Sequence, residues 1–215
     1  DDLYLKYEAD KTIPKKTVPA QDLFGDLLKE RAETGRIYIM NLDHCNSHSS
    51  FKDKVSMSNL CQEITLPTTP IQDIHDDQGE IALCILSAVN VGGLNDLGEL
   101  ESICDLAVRA LEQIIDYQDY PVKAAEVSTK RRRSLGIGYI GLAHYLAKHG
   151  VKYSDPKAWD LVDRLSEAFQ YHLLRASCNI AMEKGKCEGF DRTKYADGLL
   201  PIDHYKKDVD KIVPH

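Results

Sequence analysis

The chain has 215 residues, a net charge of −7 and 43% hydrophobic residues, enough for one ordinary core and at most two small ones. The acidic balance argues against a polymeric nucleic-acid partner, in spite of the basic cluster Lys130-Arg131-Arg132-Arg133. The longest mostly apolar run, Ile81 to Val91, is about half the length of a ~20-residue membrane span, so no transmembrane segment and no membrane partner is expected. DDLYLKYEAD at the N-terminus lacks the basic and apolar regions of a signal peptide, which makes the cytoplasm the expected location. Six cysteines, none in C-x-x-C spacing, read as reduced thiols and not as a secreted disulfide scaffold. The first residue is Asp and not Met, so a piece of something longer is expected.

After a polar, proline-containing lead, Gln21 to Glu33 predicts a helix, because Leu23, Phe24, Leu27 and Leu28 share one face and Gly35 follows as a stop. Arg36 to Met40 predicts a short strand. From Asn41 to Gly79 no period holds, and such long irregular stretches are usually functional or disordered. EIALCILSAVN, Glu80 to Asn90, is an apolar run followed by Gly-Gly, which predicts a strand buried on both faces. Leu97 to Ile115 carries a helical stripe through Leu100, Cys104, Leu111 and Ile114. Another helix is expected from about Leu135 to His149, closed by Gly150. A further one opens at Ser154-Asp155-Pro156 and ends at Gly185. The sum is mixed α/β, with helix in excess after residue 95.

SNLCQEI, residues 58–64, sets Cys61 between Asn59 and Glu63. Side chains alternate in an extended segment, so Asn59, Cys61 and Glu63 would face one ligand and Leu60, Gln62 and Ile64 the other way. A carboxylate beside a thiol raises the thiol pKa, which suits a thiol that stays protonated or works as a radical. Glu63 would then be placed as general base on a substrate hydroxyl that Asn59 orients. From these residues alone a half-buried structural cysteine beside a solvated glutamate stays open, because free Cys is commonly a small buried hydrophobe. A cysteine hydrolase pairing Cys61 with a histidine of DHCNSH would need a thiolate beside Glu63. His44, Cys45 and His48, even with Cys61 added, fit no compact zinc spacing, and backbone-bonded loop histidines are the expectation. GIGYIG, residues 136–141, matches the dinucleotide G-x-G-x-x-G, but STKRRRSL before it is no buried strand. Those glycines are expected to allow close helix packing, and the basic cluster before them to be a solvated helix end, with a phosphate or an acidic neighbouring surface as the alternative it could face.

Five blocks in order, SMSNLCQEITLPTTP, GEIALCILSAVNVGGLNDL, VRALEQIIDYQDYP, RRRSLGIGYIGLAHYLAKHG and LLPIDHYKKD, resemble the large chain of class I ribonucleotide reductase. The resemblance is dense from about Gly35 onward. It implies part of the ten-stranded α/β barrel, helix-rich, with residues 1–34 as a helical lead-in and 35–215 as a partial catalytic barrel domain. Within that domain a finger loop would span about 41–79 and a barrel strand about 80–90.

By the same resemblance Cys61 would become the thiyl radical that abstracts the substrate's 3′-hydrogen. Glu63 would take the 3′-hydroxyl proton, Asn59 would hold the ribose hydroxyls, and Cys84 would be one of two cysteines that reduce the 2′-position and end as a disulfide. No cofactor is expected on this chain. The radical would come from a metal-containing small subunit, the reducing equivalents from thioredoxin or glutaredoxin, and nucleotide effectors would bind segments absent here. A ribonucleoside diphosphate is the implied substrate, and a homodimeric large chain the implied assembly. The nucleotide-sensing cone, the second reducing cysteine and the cysteine-bearing tail of the family are missing, so the chain alone is not expected to turn over. Gln62 stands where family members can carry an apolar residue. The alternative is a non-catalytic scaffold or binding module derived from that family.

Overall fold

The computed structural model describes residues 2–204, so the LLPIDHYKKD block lies outside the described residues from position 205 on. The chain divides into two compact units, 1–41 and 42 onward. The first holds α1 (Asp2–Ala9) and α2 (Ala20–Thr34). Gly35 closes α2 in the left-handed region (φ 66°), its N–H donating to Arg31 O at 2.9 Å. The apolar stripe of α2 is present but buries nothing within the described chain. The strand expected at 36–40 does not form. A strand exists only through its ladder, and here the Ile37 carbonyl accepts from the Arg31 guanidinium instead.

The second unit starts with α3 (Leu42–His48), so DHCNSH is helical where irregular chain was expected. Little regular structure follows until β1 (Ile85–Asn90). Next come α4 (Leu100–Tyr117), α5 (Lys123–Arg132), β2 (Leu135–Ile140), α6 (Leu142–Lys148) and α7 (Pro156–Lys184). Helix α4 buries Leu100, Cys104, Val108, Leu111 and Ile115 along one stripe, and α7 meets it with Leu165, Phe169, Ala176 and Ile180. Pro156 opens α7, a first-turn position where its missing N–H has no partner to lose.

β1 and β2 pair in parallel, from Ile85 opposite Leu135 to Asn90 opposite Ile140. This corrects the helix expected from Leu135. Three glycines in seven residues weaken a helix, and β1 offers a complete ladder, so GIGYIG becomes strand and turn. Gly141 has φ 81°, and a Cβ there would sit 2.5 Å from Asn90 Oδ1. Only glycine turns the chain so closely into α6.

The sheet also corrects the strand expected over 80–90. Regular pairing starts at Ile85, and burial alternates along β1. Val89, 7% exposed, packs into the core with Leu100 and Phe169, whereas Leu86 and Ile140 are 59% and 57% exposed. One face is covered and the other is bare. Among the described residues the sheet has two strands and does not close. Its unpaired outer edges and bare face are the features that drive edge-to-edge association. The isolated chain is therefore expected to self-associate in sedimentation velocity; a single monomeric species across the concentration range would contradict this. Among the described residues no helix is long and apolar enough to cross a membrane.

Candidate active site

The chain leaves α3 and makes one long excursion before it enters β1. Its outgoing arm is fixed first at Val55, which is fully buried. The Asn46 side chain accepts from Val55 N–H (2.8 Å) and donates to Val55 O (2.8 Å), so one amide satisfies both backbone groups. Phe51 pairs with Thr193, and the Lys194 ammonium donates to Ser47 O at 2.9 Å. The returning arm is fixed at Thr69 and Glu80, which exchange both backbone hydrogen bonds at 3.0 Å.

The basic cluster meets these arms. Arg132 donates to Asp53 (2.9 Å) and Glu80 (2.5 Å), Arg131 to Glu80 (2.8 Å) and Glu188 (3.0 Å), and Arg133 to Glu112 and Asp116. The expectation of a solvated helix end gives way to its alternative, an acidic neighbouring surface: Arg132 and Glu80 are buried as a pair, since neither charge can enter the interior without the other. These partners were missed from sequence. The signal available was a glutamate opening an otherwise apolar run, and three arginines in a row that close α5.

Burial pushes the Glu80 carboxyl up, but its hydrogen bonds to Arg132 and Arg131 outweigh that and hold it below the ordinary value of 4.5. Asp53 behaves the same way: burial raises it, and Arg132 with Arg192 brings it below 3.8. A carboxylate depressed in the folded state stabilises above its unfolded pKa and loses that contribution as pH falls through the folded one. The arms are therefore expected to loosen as pH falls below about 4. Protection factors at Thr69 and Val55, each taken against the intrinsic exchange rate at its pH, that stay unchanged from pH 6 to pH 3 would contradict this.

At the apex the structure differs from the extended segment expected. Residues 60–62 turn, with Gln62 N–H donating to Asn59 O at 3.1 Å and Gln62 in the left-handed region at φ 64°. The reason is the Asn59 side chain. Its Oδ1 accepts from Ile64 N–H (3.0 Å) and its Nδ2 donates to Glu63 Oε1 (2.6 Å), so Asn59 and Glu63 meet across the turn. Ser58 Oγ adds a bond to Ile64 O at 2.8 Å. Left-handed backbone costs a non-glycine residue roughly 1–2 kcal/mol, so at Gln62 conformation is demanded more than side-chain chemistry. Cys61 is exposed on the turn between the bonded pair.

Cys84 precedes β1 and is half-buried. Its thiol is raised above its ordinary value by burial first and by the negative charge of Glu63 second. Gly136, opposite Leu86 on β2, makes room there: a Cβ would lie 2.7 Å from Cys84 Sγ. This replaces the helix-packing role expected for that glycine. Glu63 thus meets Asn59 by hydrogen bond and Cys84 by its field, while Cys61 stands free on the turn between Asn59 and Glu63. All six cysteines are free thiols. Among the described residues no group of three or more His, Cys, Asp or Glu is placed to hold a metal ion. His48 Nδ1 instead lies 3.2 Å from His44 O.

A family model described as "Ribonucleotide reductase, barrel domain" matches residues 1–213. The chain belongs to that family, and its helix-rich α/β fold with an unclosed sheet is what a part of the barrel shows. Similar proteins include the ribonucleoside-diphosphate reductase subunit alpha of Haemophilus influenzae, 59% identical over 99% of this chain. The subunit alpha of reductase 1 of Escherichia coli is 55% identical over 98% of it. That of Enterobacteria phage T4 is 40% identical over 98%. The chain spans 28% of the length of each of these relatives.

Proposed function

We propose that this chain is the part of a ribonucleoside-diphosphate reductase catalytic subunit that carries the radical cysteine, reducing ribonucleotides to deoxyribonucleotides for DNA synthesis in the cytoplasm. Residues 35–215 are the partial catalytic barrel and 1–34 its helical lead-in. The observation that carries the proposal is the apex: an exposed Cys61 framed by the bonded pair Asn59–Glu63, with Glu63 in electrostatic reach of Cys84.

As a thiyl radical, Cys61 takes the 3′-hydrogen atom. Glu63 accepts the proton of the 3′-hydroxyl as base, and Asn59 holds Glu63 in place while its amide orients the ribose hydroxyls. The 2′-hydroxyl leaves as water, and Cys84 with a second thiol from another segment supplies two electrons and two protons, becoming a disulfide. The 3′-hydrogen then returns from Cys61, which regains the radical. A raised thiol pKa on Cys84 fits this chemistry, because hydrogen transfer needs the protonated thiol. The radical comes from a metal-containing small subunit and the reducing equivalents from thioredoxin or glutaredoxin. Effector nucleotides bind the remaining segments, and the complete large chain works as a homodimer. At 28% of the relatives' length, the chain alone does not turn over.

The test is to exchange this segment for its counterpart in the complete Escherichia coli subunit alpha and supply the radical-generating partner. Conversion of CDP to dCDP within about tenfold of the parent rate is expected. A folded chimera that makes no dCDP would overturn the proposal in favour of a non-catalytic scaffold.

A further inference from the structure

The hydrogen bonds of residues 58–64 among the described residues run within that segment: Gln62 to Asn59, Ile64 to Asn59, Asn59 to Glu63, Ser58 to Ile64 and Ser58 to Asn59. The apex is therefore a small self-bonded turn joined to the rest of the molecule by its two arms. Both arms end on one side chain. Arg132, with its side chain 3% exposed, donates through Nη1 to Asp53 on the outgoing arm and through Nη2 to Glu80 on the returning arm. The Glu80 side chain is 2% exposed and that of Asp53 24%.

We infer that Arg132 is a positioning residue for Cys61: its guanidinium ties the two arms of the finger together and so sets where the thiol stands. A planar guanidinium holds two carboxylates at a fixed separation and angle, which an ammonium on a flexible stem does not. Separation of the arms would leave a buried charge without its partner, so the bracket resists opening. The Phe51 ring, 5.7 Å from the guanidinium carbon, limits the freedom of the head group further. The inference rests on the reading of Cys61 as the reacting group. A hydrogen-atom transfer depends steeply on the distance between sulfur and the carbon it attacks, so a small drift of the arms is read directly in the chemical step.

Arg132→Lys and Asp53→Ala are made separately in the complete subunit alpha carrying this segment, with the radical-generating partner and with Cys61→Ala alongside. Each of the first two is expected to lower kcat for CDP by about 10²-fold while KM stays within about twofold. Amides at Val55 and Thr69 should exchange faster, with those of α4 and α7 unchanged. Parent-like kcat in both variants, or equal loss of protection in α4 and α7, overturns the inference, as does failure of both to fold. Asp53→Ala, at a partly exposed side chain, decides the matter if Arg132→Lys does not fold. Should Cys61→Ala keep parent activity, the reading of Cys61 itself fails. When Cys61→Ala is inert and the other two are fully active, only the role of Arg132 falls.

Discussion

Cys61→Ala in the chimeric reductase is expected to lower dCDP formation by at least about 10³-fold, equivalent to roughly 4 kcal/mol of barrier. The reason is chemical and local. Among residues 58–64 only Cys61 has a bond to hydrogen weak enough to be replaced by a stable radical that takes a ribose hydrogen. Cys84 cannot substitute, because it stands off the turn, half-buried before β1. The protein itself should be undisturbed, since truncating an exposed side chain away from caps and pairs changes stability by no more than about 0.5 kcal/mol. Circular dichroism and the urea midpoint should therefore match the parent. Retention of a tenth or more of the parent rate would show that another group carries the reaction.

Glu63→Gln is expected to cost about 10²–10⁴-fold in kcat, the usual worth of a positioned base. Glutamine still offers an oxygen to Asn59 Nδ2, so the turn should keep its shape and the loss should be one of proton transfer. Asn59→Ala is different: it removes both the acceptor for Ile64 N–H and the donor to Glu63, so the turn loosens as the rate falls. A second readout does not depend on turnover. The Glu63 charge is the second cause of the raised Cys84 thiol, after burial, so its removal should lower the Cys84 pKa without restoring the ordinary value. An unchanged thiol titration would mean that Glu63 and Cys84 do not share a site, and an unchanged kcat would remove Glu63 from the base role.

Much of this was legible in the residues, for physical reasons that differ from element to element. Helices α2, α4 and α7 declare themselves because their apolar residues recur at helical spacing and their ends carry Gly35, Pro156 and Gly185. These are local properties, and local chain decides them. NLCQE likewise carries, in the identities of Asn59, Cys61 and Glu63, the chemistry proposed for it. GIGYIG failed the same treatment, because a parallel strand is defined by a partner some fifty residues earlier in the chain, and no period within six residues reveals it. The turn at Gln62 was missed because alternation assumes an extended backbone, whereas side-chain bonds from Asn59 to Ile64 and Glu63 fold it back.

The sequence by itself determined which residues make up the candidate site and where α2, α4 and α7 lie, but not α3, α5 or β2. Tertiary structure alone decided three things. It brought Cys84 under the influence of the Glu63 charge, although twenty residues of mostly irregular chain lie between them. It cleared the space beside that thiol by setting Gly136 on the neighbouring strand. It drew Arg132 out of an apparently solvated basic run into a bracket, because a charge drawn inside must find its counter-charge wherever the fold brings one, and for Arg132 the fold brings Asp53 and Glu80.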